Sequence, residues 1–126
     1  MSINNITTGE QTITTTGPIT GTLSTATLTT DFTITIRARG LNVGESMLLV
    51  IEDTASSSAF SDAEQVFAPI NIVGGQPSTE GYTVNVRAYQ VPTMRIGATN
   101  NKVRINCLAL NSTGSPSVQV FAWMST

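Results

Sequence analysis

Residues 32–39 have the sequence FTITIRAR, in which apolar and polar side chains alternate at every position. Side chains of an extended chain point alternately to opposite faces, so every second residue lies on the same side. One face of this stretch carries Phe32, Ile34, Ile36 and Ala38, and the other carries only Thr and Arg. The stretch therefore predicts a β-strand with one buried face and one face in water.

The same alternation recurs along the chain and predicts more strands of this kind. The clearest cases are YTVNVRA at 82–88, KVRINCLAL at 102–110 and VQVFAWM at 118–124. Shorter strands are expected at 19–28, 66–73 and 92–96. Residues 46–52 are apolar on both faces, which predicts a strand covered on both sides. Residues 56–65 have little apolar periodicity and predict a loop.

The number and spacing of these strands indicate the fold class. Seven to nine short strands separated by Gly- and Pro-containing turns in 126 residues predict an all-β protein, an antiparallel two-sheet sandwich. Jelly-roll wiring is the preferred prediction, and an immunoglobulin-like strand order stays open. We place the sandwich domain at 17–126. Residues 1–16 are predicted to form an extended N-terminal arm, with a disordered Thr-rich tail as the alternative.

Composition argues against several classes of function. Only 11% of residues are charged and the formal net charge is −2, whereas a nucleic-acid-binding surface needs clustered Lys and Arg. We therefore expect no nucleic-acid partner. The longest apolar run, Met47 to Ile51, is far shorter than a membrane-spanning helix, so no membrane partner is expected either. The N-terminus lacks the basic and apolar regions of an export signal.

The residue types and spacings that catalytic and metal sites usually need are also scarce in this sequence. The chain has no His and one Cys, Cys107, so a thiol nucleophile would lack its usual base. Four acids, Glu52, Asp53, Asp62 and Glu64, could hold Ca²⁺ but lack the spacing of a calcium loop. Glu52 with Glu64 or Glu80 could serve a glycosidase, but a domain this small offers little wall for a cleft. We predict no catalytic residue, no metal and no cofactor.

Interaction surfaces are the more promising candidates. Phe121 and Trp123 lie on the strand face opposite Val118, and Leu108 and Leu110 interrupt the polar face of the strand before it. Arg37, Arg39 and Arg104 lie on polar faces, where they could form a basic stripe with Arg87 and Lys102 that meets the 52–64 acids of another subunit. The arm could add a strand to a neighbour's edge. The predicted interface residues are Ile3, Ile6, Ile13, Arg37, Arg39, Arg104, Leu108, Leu110, Phe121 and Trp123.

Several of these stretches resemble small virion proteins of tailed phages. The resemblance is carried by residues 32–41 and 45–53, by KVRINCLAL at 102–110 and by GSPSV at 114–118 with the Trp-containing strand after it. The class most similar is the capsid decoration, or cement, proteins with a β-sandwich or jelly-roll fold. The resemblance covers most of residues 30–126 in pattern and includes no diagnostic motif.

This resemblance implies a function without catalysis. It implies a homo-oligomer, often a trimer, that is made in the host cytoplasm and sits on the outer surface of the virion. There it would bind the major capsid protein and stabilise the assembled shell. The alternative is a carbohydrate- or receptor-binding sandwich module of a phage fibre or head appendage, for which Tyr82, Tyr89 and Trp123 would have to form one exposed platform.

Overall fold

Two antiparallel β-sheets pack against each other with the apolar core between them. The computed structural model of the chain describes residues 2–25, 31–54, 60, 63–75, 81–96 and 100–126. A short 3₁₀ turn covers Ala88–Gln90. The strands are β1 (Ile3–Asn5), β2 (Gln11–Ile13), β3 (Gly17–Pro18), β4 (Leu23–Ser24), β5 (Thr33–Arg39), β6 (Ser46–Asp53), β7 (Glu64–Gln65), β8 (Ile70–Val73), β9 (Tyr82–Arg87), β10 (Lys102–Asn111) and β11 (Val118–Ser125).

At each sheet's edge two short strands lie end to end along one longer strand, so the described residues occupy four strand positions in each sheet. In sheet 1, β1 and β2 pair with one side of β11, followed by β5 and then β9. In sheet 2, β3 and β4 pair with one side of β10, followed by β6 and then by β7 and β8. The two-sheet antiparallel sandwich predicted from the alternation is confirmed.

The pairs along the chain are nested one inside the next. The first strands, β1 and β2, pair with the last strand β11, and β3 and β4 pair with β10. Further in, β5 pairs with β9, and β6 pairs with the β7 and β8 that follow it. The chain thus follows the path of one long hairpin whose two arms are wrapped into two sheets.

The core is built by the inward positions of the alternating strands. In β5, Ile34 and Ile36 are completely buried, and in sheet 2 Leu49, Ile51 and Ile105 are as well. Burying a side chain of this size stabilises the fold by roughly 1.5–3 kcal/mol. The period-two pattern therefore identified the inward face of β5, and that of β10 as far as Cys107, correctly. For β6, whose sequence is apolar on both faces, it made no such prediction.

Three of the weaker strand predictions need correction. Residues 92–96 form no strand but a turn, because the Arg95 amide donates to the buried Asp53 carboxylate at 2.9 Å instead of to a neighbouring strand. The strand predicted at 66–73 begins only at Ile70, as β8. Of residues 19–28, only Leu23–Ser24 form a strand, and residues 26–30 lie outside the described part, as does most of the predicted 56–65 loop.

The N-terminal segment differs from the predicted arm. Residues 3–5 and 11–13 pair with β11 of their own chain, and Ile6 and Ile13 lie in the core with 1% and 8% of their surface exposed. The Thr7 hydroxyl accepts the Ala122 amide at 3.0 Å. The segment thus adds two short strands to sheet 1 of its own subunit, with bends at residues 6–10 between them.

One buried carboxylate ties two loops together. Glu45 accepts the backbone amide of Asn42 at 2.7 Å and that of Thr113 at 2.6 Å. These two bonds stabilise the charged carboxylate and hold the pKa of Glu45 below its usual value, and the bond from Asn42 has the larger effect. The Glu45 carboxylate therefore fastens the β5–β6 connection to the β10–β11 connection.

We expect Glu45→Gln to lower Tm at neutral pH by several degrees, since the neutral amide cannot accept both bonds as strongly. A lowered folded-state pKa contributes stability above the usual glutamate pKa, and this contribution is lost as pH falls through the folded-state value. The difference between wild type and variant should thus shrink in acid. Melting curves at pH 7 and pH 3 test this, with the exposed Glu64→Gln as control. Equal Tm values at pH 7, or a gap unchanged at pH 3, would contradict the prediction.

Candidate functional site

The outer surface of sheet 2 carries an apolar patch at one end. Leu108 and Val73 are each 47% exposed, Ala109 is exposed, and Leu48 is half-buried between them. In the register, Leu48 lies opposite Ala109 of β10. We call Leu48, Val73, Leu108 and Ala109 the apolar face.

The positions paired next to the apolar face are neutral. Asn71 lies opposite Leu48, and Ser46 lies between Val73 and Asn111. Uncharged neighbours keep the cost of removing water from this surface low, because no ion has to be desolvated. An exposed apolar patch with a neutral polar rim is typical of an interaction site.

A β-bulge in β10 creates part of this surface. The register shifts between Cys107 and Ala109, so Leu108 is an extra residue and the alternation changes sides. As a result Ala109 is exposed, whereas Leu110, opposite Met47, packs against the core. The prediction that Leu108 and Leu110 both lie on the polar face is therefore right for Leu108 and wrong for Leu110.

The other half of this outer surface is covered by the chain itself. Val50 points outward from β6 yet is only 1% exposed. On the same surface, the guanidinium carbon of Arg104 lies 4.3 Å from the centre of the Phe60 ring. The Nε atom of Arg104 pairs with a carboxylate oxygen of Glu52 at 2.9 Å. The prediction that the 46–52 strand is covered on both sides is therefore right at Val50 and wrong at Leu48, which lies in the uncovered apolar face.

The outer surface of sheet 1 carries a cluster of aromatic and charged side chains. The rings of Phe121 and Trp123 are 4.9 Å apart between centres and tilted by 52°. The guanidinium carbon of Arg37 lies 5.8 Å from the centre of the Phe121 ring and 5.9 Å from that of Trp123. Glu10 pairs with both Arg37 and Arg39. We call Glu10, Arg37, Arg39, Phe121 and Trp123 the aromatic–arginine cluster.

The charges are arranged differently from the predicted basic stripe. Arg37, Arg39 and Arg87 are in sheet 1, whereas Lys102 and Arg104 are in sheet 2, so the five side chains do not share a surface. Arg37, Arg39 and Arg104 also pair with Glu10 or Glu52 of their own chain. Glu10 was missed because the sequence alone does not reveal that the β1–β2 connection places its carboxylate beside Arg37 and Arg39 of β5. The available signal was that Glu10 is the one acid before residue 31.

The remaining interface candidates and the predicted platform are separated. Ile3 is 62% exposed on β1, whereas Ile6 and Ile13 are in the core. Tyr82 lies opposite Ala38 and packs against the core, Tyr89 is 80% exposed on the 3₁₀ turn, and Trp123 is on the outer face of sheet 1. The three aromatic side chains therefore do not form one platform.

The candidate chemical residues do not converge either. Cys107 is buried, and desolvation raises the pKa of its thiol, which disfavours the reactive thiolate. Glu52 and Asp53 are consecutive in β6 and point to opposite faces, and Asp62 and Glu80 lie outside the described residues. Within the described ranges, no group of three His, Cys, Asp or Glu side chains is placed to hold a metal ion. No helix in this part of the chain is long and apolar enough to cross a membrane.

A shallow cleft opens where the β10–β11 connection faces β2. It has a volume of about 160 Å³, and its lining includes the apolar residues Ile13, Leu110 and Val118. The hydroxyl-bearing residues of the lining are Thr12, Thr14, Ser112, Thr113 and Ser117.

Comparison of the sequence with protein-family models and curated proteins, and of the structure with solved structures, found no match.

Proposed function

We propose that this protein is a non-enzymatic structural protein of a phage virion that binds the outer surface of the assembled capsid and stabilises it. The observation that carries the proposal is the apolar face of sheet 2. It supports a role in which Leu48, Val73, Leu108 and Ala109 are covered by another subunit, either a second copy or the major capsid protein. A homo-oligomer, a trimer by the resemblance described above, is part of the proposal.

The energetics of the apolar face suit this role. Covering a large aliphatic side chain yields roughly 1.5–3 kcal/mol when burial is complete, and Leu108 and Val73 have about half of their surface left to bury. One such patch gives modest affinity. In an oligomer that presents several such patches to adjacent capsid subunits, the second and later contacts are intramolecular, and the avidity exceeds the affinity of one patch.

Stabilisation of the shell would follow from mass action. A protein that binds the assembled capsid but not its free subunits lowers the free energy of the assembled state alone. Heat or denaturant must then displace the bound copies before the shell opens. The protein needs no cavity, cofactor or reacting group for this effect.

The strand order supports the fold part of the proposal. We infer that the nested pairing of β1 and β2 with β11, of β3 and β4 with β10, and of β5 with β9 is jelly-roll wiring. Jelly rolls are found in viral capsid and lectin domains. Since one fold hosts many functions, the strand order is compatible with the proposal and does not carry it.

The apolar face gives a direct test of the proposal. We expect Leu108→Asp and Val73→Asp each to weaken binding to the shell by at least about tenfold, because a carboxylate would be buried without a partner. Tyr89→Asp, which changes a more exposed residue away from this face, should bind as the wild type does. Cryo-electron microscopy of the phage particle whose genome encodes the chain would locate the protein, and sedimentation with purified shells would give the affinities.

Two results would count against the proposal. One is a particle whose outer surface lacks this protein. The other is undiminished shell binding by both Asp variants, with their folding verified by melting curves. Light scattering on the free protein gives the number of copies, and a monomer at high concentration would remove the oligomer from the proposal.

A saccharide-binding module is the second candidate, favoured by the hydroxyl-lined cleft. Its volume of about 160 Å³ is small, below the size usual for ligand sites. The hydroxyl groups of Thr14 and Thr113, which line the cleft, could hydrogen-bond a sugar. Glycan-array binding that is abolished by Thr14→Val would move this candidate ahead of shell binding.

A further inference from the structure

The Arg37 side chain is held in place but incompletely paired. Its contact with Glu10 joins Nη2 to Oε2 over 3.6 Å, too long for a hydrogen bond. Its Nε is buried and has no acceptor among the described residues, and the Oε2 atom of Glu10 has no donor there. Arg39, in contrast, bonds to the other oxygen of Glu10 and to Gln119 at 3.0 Å. Glu10 therefore satisfies Arg39 and leaves Arg37 with unused hydrogen-bonding capacity.

The rings beside Arg37 fix its position. Phe121 and Trp123 lie within 6 Å of its guanidinium carbon, a distance at which cation–π attraction operates. The Arg37 side chain is still 38% exposed. A guanidinium that is already oriented loses little conformational freedom when a planar carboxylate binds it.

The strands of sheet 1 have one sign of charge. β5 contributes Arg37 and Arg39, β9 contributes Arg87, and none of the strands of this sheet contains Asp or Glu. The carboxylate that reaches the arginines, Glu10, comes from the β1–β2 connection. The outer surface of sheet 1 is thus complementary to a negatively charged partner.

We propose that the aromatic–arginine cluster is a docking site for an acidic segment of a partner protein. A carboxylate of that segment binds Arg37 and takes the place of Glu10 there, while Glu10 stays with Arg39. An apolar side chain next to that carboxylate packs on Trp123 and Phe121. Trp and Arg are the residue types that most often dominate protein–protein binding energies.

The shape of the surface favours a polypeptide over a small molecule. Small ligands prefer clefts that enclose most of their surface, whereas this cluster projects from adjacent strands of an open sheet. The site is on the opposite side of the sandwich from the apolar face. The inference is therefore independent of shell binding, and either can fail without the other.

Substitution of Glu10 tests whether its carboxylate competes with the partner for Arg37. If Glu10 occupies the place of the partner's carboxylate, Glu10→Gln should strengthen binding, by about two- to fivefold for a partly exposed ion pair. If Glu10 instead contributed to binding, the same change would weaken it. The direction of this effect separates competition from simple loss of charge.

The experiment starts with a displayed library of random 12-residue peptides selected on the full-length protein and counter-selected on Arg37→Gln. The enriched peptides are then titrated while the emission of Trp123, the one tryptophan in the chain, is recorded. We expect peptides rich in Asp and Glu. Replacing their acids by the amides, or using Arg37→Gln protein, should weaken binding by at least about tenfold. Arg87→Gln removes the same charge from the same sheet, away from the rings, and should change the affinity less than threefold.

The proposal fails if no peptide is enriched, if the enriched peptides are neutral or basic, or if Arg87→Gln weakens binding as much as Arg37→Gln. It also fails if Glu10→Gln weakens binding. Polygalacturonate is titrated in parallel as an acidic saccharide. Binding of this polymer at Arg37, with no acidic peptide bound, would assign the site to saccharides and overturn the proposal.

Discussion

Deletion of residues 2–13 is expected to unfold the protein rather than remove a peripheral arm. The deletion takes Ile6 and Ile13 out of the core, where they are 1% and 8% exposed. Two buried isoleucines contribute roughly 3–6 kcal/mol together. The deletion also removes the strands that pair with β11 and the Thr7 hydroxyl that bonds to Ala122. A domain of this size is stable by only about 5–15 kcal/mol, so most of its stability would be lost.

Single substitutions separate this explanation from a general effect of shortening the chain. Ile6→Ala should reduce the free energy of unfolding by about 2–5 kcal/mol, as large-to-small changes in cores do. Ile3→Ala, at a position 62% exposed in the same segment, should change it by less than about 0.5 kcal/mol. Urea denaturation followed by Trp123 emission measures both. A deletion variant as stable as the full chain would refute the placement of Ile6 and Ile13 in the core.

The strands could be predicted from sequence wherever one local rule determines the structure. The alternation in β5 and the residue before it is enough to decide which face is buried, because the apolar face packs into the core and the polar face stays in water. The residues of the apolar face are all buried: Phe32, Ile34, Ile36 and Ala38. The N-terminal segment has no such pattern. Ile6 and Ile13 are seven residues apart among hydroxyl and amide side chains, and their burial is decided by pairing with β11, more than a hundred residues later.

The candidate surfaces could be predicted only in part, for the same reason: the alternation shows which face a side chain lies on only while the strand is regular. The outward positions of Phe121 and Trp123 followed from the parity of β11. The half-buried position of Leu110 could not be predicted, because the bulge after Cys107 shifts the parity and is set by the register against β6. The partner of Arg37 likewise depends on where the pairing of β1 and β2 with β11 places Glu10. Local patterns thus identified the outward side chains of the regular strands β5 and β11, whereas pairing over long distances determined which side chains meet and where the parity shifts.

Gly40 is expected to tolerate no side chain, and Gly40→Ala should cost about 2–6 kcal/mol. This residue follows β5 directly, next to the last pair in the register, Arg39 with Gln119. Its φ is +95°, and a Cβ there would lie 2.1 Å from the carbonyl oxygen of Ser117. An alanine at this position would therefore have both a strained backbone conformation and a steric clash with Ser117.

Gly44 is the matched control, because it differs in only one of these two respects. Its φ is +84°, but a Cβ at this position would meet no atom within 4 Å. Gly44→Ala should cost only the conformational strain, about 1–2 kcal/mol. The difference between the two variants in urea denaturation then measures how closely the start of β11 approaches the end of β5. Equal losses would mean that Ser117 can move away, and that the pairing of these two strands, on which the aromatic–arginine cluster depends, is looser at this end than the geometry indicates.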